Sequence, residues 1–163
     1  MQEAKDNTKR VLEGGELAQV PDKLDDGLDV LIGEAGPERY VAILAFVAPD
    51  PAFDEAIDEL RAVIRDMTRA TTTFGYGPRY LHSTGQFHKG GPPTGRFLQL
   101  IGDSGEDLAV PGEDYTFRTL KEAQAVGDLQ TLASHELPTK RVRLEGDLAA
   151  GVREITKRVE GMR

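Results

Sequence analysis

The chain has 163 residues, 39% of them hydrophobic and 29% charged, which suffices to bury a core without disulfides or metals and is too apolar for a disordered chain. It has no cysteine, which excludes a disulfide scaffold, a thiolate metal site and a cysteine nucleophile. With 20 Lys+Arg against 28 Asp+Glu the net charge is −8, which argues against whole-surface binding to nucleic acid or to an anionic membrane.

Taken in chain order, Ala4 to Leu12 reads as a short helix stopped by Gly14-Gly15, followed by a polar connector to Asp25. Leu24, Leu28, Leu31 and Ile32 fall at helical spacing, and Gly33, Gly36 and Pro37 end that helix. Tyr40 to Val47 is continuously apolar and does not alternate, as expected for a central parallel strand covered on both faces. Asp50 is a good N-cap and Pro51 suits the first helical position. Ile57, Leu60, Ile64 and Met67 then mark an amphipathic helix to about Thr68.

Thr71 to Phe74 and Phe97 to Ile101 read as the second and third strands. Thr119 and Glu122 have capping-box spacing and open a helix that Gly127-Asp128 is expected to break before Leu129 and Leu132. Val142 and Leu144 mark a fourth strand. Asp147 caps a last helix with Leu148, Val152, Ile155 and Val159 on one face and Lys157 and Arg158 near its negative end. This alternation predicts an α/β fold, a three-layer sandwich with a mostly parallel sheet over residues 37–163, preceded by a helical segment and connector over 1–36. The longest apolar run, Tyr40 to Pro49, is half the length of a membrane span, and no apolar leader follows Met1. The expectation is a cytoplasmic protein with no membrane partner.

Charge is distributed unevenly. Met67 to Gly102 holds no acidic residue and carries Arg69, Arg79, Lys89 and Arg96, while the rest of the chain is strongly acidic. Within that stretch, Gly75 to Gly95 has six glycines and three prolines in 21 residues, together with two of the three histidines. It reads as a long connection without regular structure, at the carboxyl end of a strand, where α/β sheets place their ligands. Arg79 and Lys89 supply charge for an anion, Ser83 and Thr84 hydroxyls and Gln86 an amide, and His82 and His88 could move protons near neutral pH. The segment fits neither a dinucleotide fingerprint nor a P-loop, and Ser83 lies in no nucleophile elbow. His82 and His88 lack the partners of a zinc motif, so neither a metal nor a cofactor is expected. His135 is taken as structural. Asp25-Asp26 and Glu113-Asp114 are taken as solvated loop charges, and a carboxylate could act as base only if the fold brings one to the basic segment.

The run Gly75-Tyr-Gly-Pro-Arg-Tyr-Leu-His-Ser-Thr-Gly-Gln-Phe-His-Lys-Gly-Gly-Pro92 resembles a stretch near the C-terminus of the bacterial bifunctional transaldolase/glucose-6-phosphate isomerase family. Glu3 to Thr8, Tyr40 to Ala45, Arg65-Asp66, Pro111-Gly112 with Tyr115 to Phe117, and Ala123 to Ala125 with Gly127-Asp128 follow that family in order, so the resemblance covers nearly the whole chain. It implies an SIS-type, flavodoxin-like α/β domain that is one part of an isomerase, interconverting glucose 6-phosphate and fructose 6-phosphate. It implies Lys89 and Gln86 as groups that reach the substrate. Together with the residue chemistry, this gives Lys89 and His82 as catalytic candidates and Arg79, Ser83, Thr84, Gln86 and His88 as substrate-binding ones. The resemblance places the catalytic Glu in a preceding region, and no Glu lies between Glu59 and Glu106. The implied partners are a phosphosugar and the preceding isomerase and transaldolase regions, on the same polypeptide or a partner chain, with a homo-oligomer allowed. Two readings stand: one wall of an isomerase site, inactive alone, or a phosphosugar-binding module without turnover.

Overall fold

The computed structural model describes residues 6, 8–10, 12–13, 20–103 and 105–162. Residues 6, 8–10 and 12 are helical, inside the expected Ala4–Leu12 helix; the rest of that span and Gly14-Gly15 lie outside the described residues. Helix α1 (Asp26–Gly33) follows, with the Asp25 side chain accepting from the Gly27 amide. Asp25 and Asp26 are exposed, as expected, but are more than solvated loop charges: Asp25 caps α1 and pairs with Lys140 at 2.7 Å, and Asp26, in the first turn of α1, pairs with Arg158.

Strand β1 (Tyr40–Phe46) leads into α2 (Pro51–Thr68), capped by Asp50 with Pro51 in the first turn, as the sequence predicts. Strand β2 (Thr71–Tyr76) comes next, then β3 (Gly95–Gly102), helix α4 (Phe117–Ser134), β4 (Thr139–Leu144) and helix α5 (Leu148–Glu160), capped by Asp147. Between β2 and β3 the chain is not irregular. A 3-10 turn (Arg79–His82) and helix α3 (Thr84–Gly90) occupy it. Glycines at 85 and 90 mask α3 in any propensity count, because each weakens a helix that tertiary contacts then hold.

The sheet is four-stranded and wholly parallel, in the order β2-β1-β3-β4. Helices lie on both sides, so the fold is the expected three-layer α/β sandwich. On one face α1, α2 and α5 cover Val41, Ile43, Ala45, Leu98, Leu100, Val142 and Leu144 in a continuous apolar core. Leu28, Leu31 and Ile32 of α1 belong to that core, so the 20–36 segment is packed with the sheet. The 3-10 turn, α3 and α4 lie against the other face, over Ala42, Leu44, Phe46, Phe97 and Ile101. Gly77 must pass close to the sheet there: a Cβ on it would sit 2.6 Å from the Phe46 ring.

Helix α4 departs from expectation twice. It opens at Thr116, whose hydroxyl accepts from the Thr119 amide, three residues earlier than the Thr119–Glu122 spacing suggests. It also runs unbroken through Gly127-Asp128, because both residues are buried and Asp128 is held from outside the helix. Glu113 and Asp114 are exposed, as expected. No helix among the described residues is long and apolar enough to cross a membrane.

Candidate functional site

Between α3 and α4, along the second face of the sheet, lies a cavity of about 540 Å³, most of whose wall comes from the segments leading into the amino ends of β3 and β4. The 3-10 turn and α3 give it Leu81, His82, Gln86 and Lys89; α4 and its C-cap give Gln124, Thr131 and His135; the N-terminal helical residues give Thr8, Lys9 and Leu12. None of the described lining residues is a carboxylate. Gln86 and Lys89 reach the same wall because they are three apart on a helix.

The floor is ionic. Lys89 Nζ donates to Asp128 Oδ1, and the Tyr80 hydroxyl donates to Asp128 Oδ2. Asp128 is 1% exposed and the Lys89 side chain 12%. Burial, reinforced by the neighbouring Asp128 charge, pushes the Tyr80 phenol well above its ordinary range, so Tyr80 stays a neutral donor. The fold thus brings a carboxylate to the basic segment, from a position read as a helix break. One sequence signal could have found it. Gln124, Asp128, Thr131 and His135 recur at spacings of four, three and four, a polar stripe along one side of α4. His135, taken as structural, lies at the end of that stripe and lines the cavity.

The remaining candidates divide. Thr84 and His88, four apart, face away from Lys89 into a separate groove of about 410 Å³ with Tyr40, Thr71, Thr73 and Phe87. His88 is 4% exposed, and its Nδ1 shares a 2.9 Å hydrogen bond with the Tyr40 hydroxyl. Burial lowers the His88 pKa, the Asp128 charge opposes that shift, and the imidazole rests neutral among Tyr40, Phe87 and Phe97. Ser83 is exposed and points its hydroxyl back to the Tyr80 carbonyl at 3.3 Å. Arg79 is exposed and lines neither space. Arg96, counted in the basic stretch, is buried and committed to the carbonyls of Leu31 and Val30 and to Glu34 at 2.7 Å, so it ties β3 to α1.

In a parallel sheet the usual ligand crevice lies where neighbouring strands send their connections in opposite directions, here between β1 and β3. A smaller cavity of about 360 Å³ occupies that point, and Asp103 within it is paired to Lys121 at 2.8 Å. The larger cavity adjoins it through Pro78, after the cis Gly77–Pro78 bond. Among the described residues no group of three His, Asp or Glu stands close enough to hold a metal ion.

No family model matches this chain, and no curated protein matches it. Among solved structures it is similar to a hypothetical protein of Thermus thermophilus, with a TM-score of 0.52 and 16% identity. The match covers 99% of this chain and 42% of that one, so this chain spans less than half of that protein's length. At that identity the likeness shows a shared fold and nothing of the chemistry.

Proposed function

We propose that the cavity between α3 and α4 holds a phosphosugar, and that the chain is one wall of an aldose–ketose isomerase site acting on glucose 6-phosphate and fructose 6-phosphate. The observation that carries this reading is the convergence of His82, Gln86 and Lys89, three residues of the isomerase-like run, on one cavity with Lys9 and His135. A space of this size suits a small polar ligand, and its lining supplies amides and hydroxyls for sugar oxygens and ammonium groups for a phosphate.

Isomerisation needs a base that takes the proton from C2 of the open-chain sugar and returns it to C1 of the enediol. The described cavity wall offers imidazoles and no carboxylate, and Asp128 beneath it is bonded to both Lys89 and Tyr80. The chain alone therefore binds without efficient turnover, and the base comes from a further region of polypeptide or from a second chain. The same feature favours the second reading, a phosphosugar-binding module. Calorimetric titration with glucose 6-phosphate, beside a coupled assay for fructose 6-phosphate formation, tests both. Binding without turnover is the expected result. Absence of binding by either sugar phosphate would remove the reading.

A further inference from the structure

We infer that Asp128 is a positioning residue for Lys89: its carboxylate fixes the direction of the ammonium on the cavity floor, which the sugar part of the ligand then meets. The inference rests on the phosphosugar reading of that cavity. Four observations carry it. Asp128 is among the most buried ionisable groups, at 1% exposure, and sits in the middle of a helix, where aspartate has poor propensity. It accepts from two side chains, and both come from the isomerase-like run, Tyr80 from the 3-10 turn and Lys89 from α3. A buried ion pair is seldom more stable than an apolar replacement of similar volume, so stability alone does not account for it. Lys89 carries three donors, of which Asp128 takes one, leaving two for a guest in the cavity that Lys89 lines.

The alternative role for a carboxylate beside an anion site is plain repulsion, and the two roles predict opposite signs. If Asp128 acts only through its charge, Asp128→Asn strengthens binding of every phosphate-bearing ligand. If it orients Lys89, Asp128→Asn leaves the ammonium free to turn, and a ligand that needs a fixed direction binds less well while a bare anion does not.

The experiment is a double-mutant cycle on the full chain, with Asp128→Asn, Lys89→Met and the double variant, each titrated with glucose 6-phosphate and with inorganic phosphate. Circular dichroism and melting curves verify that each is folded. Asp128→Asn should weaken glucose 6-phosphate by about tenfold, the scale of strongly coupled neighbours, without weakening inorganic phosphate. In the Lys89→Met background the same change should have no further effect, which a merely structural role for Asp128 would not produce. Tighter binding of both ligands by Asp128→Asn would overturn the inference, as would an undiminished loss in the Lys89→Met background. A wild-type chain that binds neither probe overturns the phosphosugar reading itself and the inference with it, and that outcome is distinct from binding without coupling. Where Asp128→Asn does not fold, Tyr80→Phe provides the second test: it removes the other donor to Asp128, and a smaller loss for glucose 6-phosphate that again vanishes with Lys89→Met is expected. A Tyr80→Phe loss that persists with Lys89→Met would overturn the inference.

Discussion

The two faces of one sheet are built by different rules. On the face covered by α1, α2 and α5, the inward residues of the three strands that meet it centrally are aliphatic except at the α1 edge, where Arg96 and Lys140 bond to α1 and its cap, and the helices above add Ile57, Leu60, Ile64, Val152, Ile155 and Val159. On the opposite face, between the aromatic residues, lie Gln99, Arg141, Asp128 and His88, all buried and polar. Gln99 donates to the Ala125 carbonyl at 2.9 Å and accepts from Arg141 Nε at 2.8 Å. Burial, then the nearby Arg143 charge, brings the Arg141 guanidinium down to about 10. The apolar face holds the fold together by area removed from water, which tolerates imprecise contact. The polar face depends on groups meeting their partners, as Gln99 and Asp128 do, although Arg141 Nη2 is buried without one, and this makes it the more specific surface and the costlier one to disturb. Both larger spaces with chemistry in their walls open on that second face.

The contrast can be broken at its strongest point. Lys89→Met removes the counter-charge of a carboxylate that is 1% exposed. It should destabilise the chain by about 3–5 kcal/mol in urea unfolding at neutral pH, and a compensating Lys89→Met/Asp128→Leu pair should recover most of that. A single substitution with no cost would mean that the pair is not formed in solution. On the apolar face, Leu60→Ala empties a fully buried site and should cost about 2–5 kcal/mol, yet leave glucose 6-phosphate binding in the remaining folded protein unchanged. Loss of binding in a variant shown to be folded would mean that the faces are not separable.

A pH titration sharpens the comparison. His88 has a folded pKa below its ordinary 6.5, because burial disfavours the imidazolium. Well above 6.5 His88 is neutral in both folded and unfolded forms and its burial costs no stability. As pH falls below that value the unfolded state takes up the proton first, so stability declines toward the folded pKa. His88→Gln should flatten that part of the curve, between the ordinary imidazole pKa and the onset of carboxylate protonation, and an unchanged slope would contradict the burial account. Asp25 and Asp29, held below the carboxylate range by Lys140 and Arg158, add their losses at lower pH, with the same sign. The smallest effect belongs to the surface. Arg158→Ala removes pairs with Asp26 and Asp29, and should lower the melting temperature only slightly, a difference that largely disappears in roughly 1 M salt.

The same division explains what the sequence made legible. The apolar face is written in periodicity: Tyr40 to Val47, the Ile57–Leu60–Ile64 spacing, and Asp50 and Asp147 as caps each led to an element within a few residues of its true limits. The polar face is written in partnerships between distant residues. Asp128 with Lys89 spans 39 positions and Tyr40 with His88 spans 48, and no local pattern reports them. Gly127-Asp128 read as a helix break because the helix-breaking tendency is local and the bonds that overrule it are not. In α3 the same override hid a helix among glycines. That helix divides the Gly75–Pro92 run into two sides, Gln86 and Lys89 toward one cavity and Thr84 and His88 toward the other groove.

The three histidines give the most direct test of that placement. His82 and His135 line the cavity between α3 and α4, while His88 is buried on the opposite side of α3. Imidazole signals of the uniformly ¹⁵N-labelled chain, followed by NMR as glucose 6-phosphate is added, should move for His82 and His135 and stay fixed for His88. Movement of His88 alone, or of none of the three at saturating ligand, would contradict a phosphosugar site in this cavity.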